Sequence, residues 1–320
     1  MIATFPPPRT LTLAMAAVVS TAVVADAQAA TFNVSNASQI ASAMNSAQPG
    51  DTIVMADGVW TNQRIDFAGI GTAGNPITLR PQTPGGVILN GDSRLRISGD
   101  YLVVDGLHFQ GGALADSDHV VQFRGPLGEA TNSRLTNSVI ESYNPTDPTS
   151  KNWWVSLYGQ NNRVDHNTLI DQQNIGAQLV VWLSNSTANN PPQHRIDSNF
   201  FADRPEGFDN GFETIRIGTS TYSLQSAQVI VENNLFERSD GETEIISNKS
   251  GDNILRYNTF RESQGTLTLR HGNGSRVEGN FFLGEGRDRT GGIRVIGEDH
   301  VVVNNYIADI DDRVDGAISF

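Results

Sequence analysis

The chain has 320 residues, 18% charged and 38% hydrophobic, a balance that excludes a disordered tail, a collagen-like fibre and a multi-span membrane protein. Its 22 basic and 35 acidic residues give a formal net charge of −13, so the long-range field repels polyanions and no nucleic acid partner is expected. There is no cysteine, which excludes a disulfide framework and a thiolate metal site.

Residues 1–29 read as an export signal. Arg9 supplies a positive start, Leu11 to Ala25 is apolar, and the alanines between Ala25 and Ala30 offer small-residue cleavage sites. The run is too short to span a membrane comfortably. A periplasmic or secreted protein without membrane insertion is the expectation, and residues 30–320 are treated as one domain.

After the signal, Asn36 or Ser38 is placed to cap a short helix carrying Ile40 and Met44 on one face, with Pro49-Gly50 ending it. From Asp51 onward the pattern changes to short β-branched runs broken by Gly, Asn and Asp, such as Thr52-Ile53-Val54-Met55 and Leu102-Val103-Val104. A polar residue, then Asn or Gly, then a small or apolar pair recurs at Gly106, Asn137, Asn167, Asn199, Asn234, Asn258, Asn280 and Asn305. The intervals are 31, 30, 32, 35, 24, 22 and 25 residues, a rung of 22 to 25 with insertions.

Strands at that period without intervening helices predict an all-β chain: a right-handed, single-stranded parallel β-helix with a short N-terminal capping helix. The recurring Asn is expected to sit near the left-handed region and to stack along the axis. A β-sandwich or propeller would show shorter strand spacing and no such signature.

Three basic residues fall at nearly one offset. Lys249, Arg270 and Arg294 precede Asn258, Asn280 and Asn305 by nine, ten and eleven residues, which predicts an outward cationic column with rungs about 5 Å apart. An outward Lys249 is expected to contribute little to the core. Glu242 and Glu244 are two apart and share a strand face, an unfavourable pairing unless a hard cation such as Ca²⁺ joins them, with a further ligand from Asn210-Gly211-Phe212-Glu213. Trp153 and Trp154 suit either sugar stacking or the core. The other five histidines, His108, His119, His166, His194 and His300, lack zinc-binding spacing.

The runs Asn210 to Gly218, Glu242 to Ser250, Leu267 to Gly272 and Gly291 to Val295 together resemble the polysaccharide lyases of family 6, which include alginate lyases and chondroitinase B on parallel β-helices. The resemblance implies Lys249 as Brønsted base, Arg270 as Brønsted acid, and Asn210, Glu242 and Glu244 as calcium ligands. It also implies that His271, Arg294 and Tyr158 line a substrate groove. The implied reaction is β-elimination on an acidic polysaccharide, alginate first and dermatan sulfate second. Family domains continue for several rungs beyond the position of Phe320, so a C-terminally shortened lyase domain is expected. Two other readings stay open: a non-catalytic polysaccharide-binding β-helix, and a pectinase-like hydrolase, which would need clustered Asp in place of Lys and Arg.

Overall fold

In the computed structural model the described residues are 1–4, 28–311 and 316–320, and the apolar stretch Leu11 to Ala25 read as an export signal lies outside them. Among them, strands form three long sheets of 11, 12 and 10 strands, each strand pairing with its counterpart one turn away. A single turn shows the logic. Ile230–Glu232, Leu235–Ser239 and Glu244–Lys249 pair in parallel with Ile254–Arg256, Thr259–Arg261 and Gly265–His271. Three short strands per turn, joined at tight corners, build the expected right-handed parallel β-helix. An antiparallel exception is the hairpin that pairs Arg124 with Glu129.

The helix Ala37–Met44 covers one end. Asn36 caps it, its side chain accepting from the Gln39 N–H at 2.9 Å, and fully buried Ile40 and partly buried Met44 face the core. It packs on the strand Arg64–Ile70. No helix among the described residues is long and apolar enough to cross a membrane.

Inside, like residues stack on like. Phe201, Phe236, Phe260 and Phe282 form a pile with ring centroids 5.0, 4.6 and 4.6 Å apart. Beside it, Asn167, Asn199, Asn234, Asn258, Asn280 and Asn305 form a ladder in which each side-chain amide donates to the next side-chain oxygen at 2.9 to 3.0 Å. The residue near the left-handed region is the one before the ladder Asn: His166, Ser198, Asn233, Tyr257, Gly279 and Asn304 all have φ between 56° and 63°. In the two earlier turns Gly106 and Asn137 occupy that corner, and Leu107 and Ser138 stand at the ladder position, where the Leu107 N–H donates to Ser138 and the Ser138 N–H to Asn167. The sequence repeat is therefore offset by one in those turns.

The tryptophan pair divides between the two faces. Trp154 is fully buried in the core, whereas Trp153 lies on the outer face of the second sheet against Val180 and Trp182.

His194 is a buried polar group with a measurable consequence. It is fully buried at a corner, its Nδ1 accepts from the Asn162 N–H at 3.1 Å, and burial pushes its imidazole from 6.5 down to about 3. Between those values the unfolded chain binds a proton that the folded one refuses. The associated stability is complete above about pH 6.5 and falls as pH drops, at about 1.4 kcal/mol per pH unit. His194→Asn, whose Oδ1 can take the Nδ1 position, is expected to flatten the fall in unfolding free energy between pH 6 and 4, measured by urea titration. An unchanged acid slope would remove His194 as its source.

Candidate active site

The site lies on the outer face of the second sheet, where the strand Glu244–Lys249 lies beside Gly265–His271. Isoleucine and leucine pin both strands to the core: Ile246, Leu267 and Leu269 are fully buried. Their pairing is irregular at both ends, with register shifts at Glu244/Ile246, where Ile245 is the extra residue, and at Asn248/Lys249, where Arg270 of the facing strand is. Such bulges re-aim side chains. They also break the expected column, because Lys249 stands opposite His271 while Arg294 pairs with Thr268 in the column of Ser247 and Arg216.

A cleft of about 450 Å³ opens here, lined by Asp209, Asn210, Ser220, Glu242, Thr243, Glu244, Lys249 and Arg270. Five of the residues singled out in the sequence thus meet in one cavity. His271 flanks it, with Nε2 3.4 Å from the Ser220 hydroxyl. Burial, then Arg270 and Lys249, hold the His271 imidazole below its ordinary value, so it is neutral at neutral pH. Tyr158 lies three turns away, about 14 Å along the axis, beside a separate pocket.

Each charged group in the cleft has a defined neighbour. The Lys249 ammonium donates to Glu213 Oε1 at 3.2 Å; the Glu213 side chain is 1% exposed and its Oε2 has no hydrogen-bond partner. Arg270 Nε lies 3.3 Å from Glu244 Oε1, and the Ser247 hydroxyl donates to Glu244 Oε2. Glu242 Oε2 accepts the N–H groups of Gly211 and Phe212 at 2.8 and 3.0 Å, which ties down the loop that carries Asn210. Gly211 takes φ +106° there, a conformation that disfavours any side chain. Burial, then the like charge of Glu213, pushes the Glu242 carboxyl up to about 7 against those two N–H bonds.

Behind the loop sits Arg204, fully buried, bonded to Gln172 and to the carbonyls of Asn174 and Gly176, with its guanidinium 5.5 Å from the Phe212 ring. Burial lowers it to about 9, opposed by Glu213 and Glu242.

Among the described residues, no three His, Cys, Asp or Glu side chains are grouped to hold a metal by themselves. The donors that do converge are all oxygen: two glutamates and an asparagine amide in the cleft, with buried Glu213 behind. This set suits a hard cation and no soft one.

The sequence profile of the chondroitinase B family matches residues 34–316. The fold superposes on a family 6 alginate lyase, AlyGC, with a TM-score of 0.87 and 44% identity over 90% of this chain. The chain belongs to polysaccharide lyase family 6. A mannuronic acid specific family 6 lyase from human gut microbiota is 37% identical over 90% of the chain with a TM-score of 0.84. The family 6 lyase Pedsa3628 from Pseudopedobacter saltans is 34% identical over 87%, with a TM-score of 0.80. The chain spans 40% of the length of the first of these family 6 structures and 66% and 64% of the other two. No curated protein matches the chain.

Sequence reasoning missed Glu213 as the partner of Lys249. Glu213 stood in a quoted run, but 36 residues separate it from Lys249, and only the three-dimensional stacking of turns brings them together.

Proposed function

We propose that the chain is a polysaccharide lyase that cleaves a polyuronate, alginate first, by β-elimination at the cleft between Lys249 and Arg270. The observation that carries this reading is the meeting of an amine, a guanidinium and a set of carboxylates in one open cavity. The hydrogen at C5 of a uronate is weakly acidic, and the adjacent carboxylate repels the charge that develops on its removal. Calcium held by Asn210, Glu242 and Glu244 would neutralise that carboxylate.

Lys249 takes the C5 proton, which requires its neutral form, and Glu213 fixes the amine's position. The C5–H electrons form the C4=C5 double bond as the C4–O4 bond breaks. Arg270 polarises the departing O4, held in orientation by Glu244, and the proton O4 gains comes from Arg270 or from water at neutral His271. A guanidinium is a weak acid, so polarisation is its larger contribution.

Incubation with polymannuronate, polyguluronate and dermatan sulfate, followed by ultraviolet absorbance, tests the reading. An unsaturated, absorbing uronate end is expected from at least one alginate block. New reducing ends without absorbance would make the protein a hydrolase, and binding without either would make it a non-catalytic polysaccharide binder.

A further inference from the structure

On the turns preceding Lys249, cations and rings alternate along the same outer face. The Arg124 guanidinium lies 4.1 Å from the Tyr158 ring centroid, Tyr158 and Trp182 are parallel within 10° at 5.8 Å, and Arg216 sits 5.1 Å from Trp182. Most arginines of the described residues pair with carboxylates, as expected at net charge −13. Among the described residues, neither Arg124 nor Arg216 has an ion-pair partner within 4.0 Å, and Arg216 Nε is buried without a hydrogen-bond partner. Beside Arg124 lies a cavity of about 220 Å³, bordered by Arg124, Glu129, Tyr158, Trp182 and Leu183.

An arginine stacked on a ring keeps its in-plane N–H fork free while losing little freedom on binding, which suits it to a carboxylate. Arg124 and Arg216 are three turns apart, about 14 Å. We infer that Arg124, braced by Tyr158 and Trp182, is a carboxylate receptor for the part of an acidic sugar chain that extends past Arg216 away from Lys249. This rests on the polyuronate reading and adds a chain-length requirement to it. The tyrosine's role shifts accordingly: its face is covered by Arg124, so it braces the cation and does not itself stack on sugar.

Calorimetric binding of an oligouronate series, in a calcium-loaded Lys249→Ala background that blocks turnover, to chains carrying wild-type Arg124, Arg124→Ala or Arg124→Lys tests this. With Arg124 in place, affinity should rise with chain length. Arg124→Ala should lose about tenfold on the longest oligomers and less than twofold on the shortest. Arg124→Lys should fall close to alanine, because an ammonium does not stack in that plane. Equal affinity with Arg124 and with Arg124→Ala at every length would overturn the inference, and so would an equal loss at every length, which marks a structural role. Absence of an unsaturated product from any polyuronate would sink the lyase reading alone, since binding is read separately.

Discussion

Replacing Lys249 by alanine is expected to lower turnover on alginate by at least a thousandfold, the scale of losing a positioned general base. Stability is expected to fall as well. The lysine side chain is 14% exposed and its partner Glu213 1% exposed, so the variant leaves a buried carboxylate without its cation, at about 3 kcal/mol for such a broken pair. Adding Glu213→Gln should restore most of the stability and none of the activity. Urea unfolding and ultraviolet product formation on the single and double variants separate the two effects. Retention of a tenth of the wild-type rate in the alanine variant would exclude Lys249 as the base.

Chelation of calcium is expected to remove turnover, by a hundredfold or more, and to leave the β-type circular dichroism in place. The fold has its own support in the phenylalanine pile and the asparagine ladder, both buried inside the coil, whereas Glu242 and Glu244 line the cleft. The chemistry has little to spare, because Glu242 and Glu244 would face the substrate's own carboxylate with, among the described residues, only Arg270 within ion-pair distance of either. Added Ca²⁺ should restore the rate, and Mg²⁺ should do so poorly, since its strict octahedral shell suits such a site badly. Undiminished rates after exhaustive chelation would mean that Lys249 and the arginines neutralise the substrate unaided. Unfolding on chelation would make the ion structural.

The β-helix was legible because its signal is periodic: residues that stack must recur once per turn, and Asn and Phe did. The repeat still slipped by one at Gly106 and Asn137, since a left-handed corner and a ladder position accept overlapping residue types and lie side by side. Asn210, Glu242, Glu244, Lys249 and Arg270 were legible through family-like runs, and they share one cleft. The cationic column was not, because one bulge in each of two facing strands, at Ile245 and at Arg270, shifts Lys249 out of step, and counting residues cannot reveal a bulge. Glu213 and Arg124 stayed hidden for a related reason. Their partners lie in other turns, and turns that vary from 22 to 35 residues do not predict which side chains meet.

That variation has a consequence for how such a protein can change. From Asn167 to Asn305 the amide ladder is unbroken although the turns it links differ by up to 13 residues, from 35 down to 22. Extra residues leave the coil at its corners and return without disturbing the neighbours above or below. The longest turn, between Asn199 and Asn234, spends its surplus on the loop that holds Asn210 and the bend that holds Ser220. Lengthening or trimming these excursions would reshape the walls of the cleft on an unaltered floor, so the breadth of substrates open to this scaffold is decoupled from its stability.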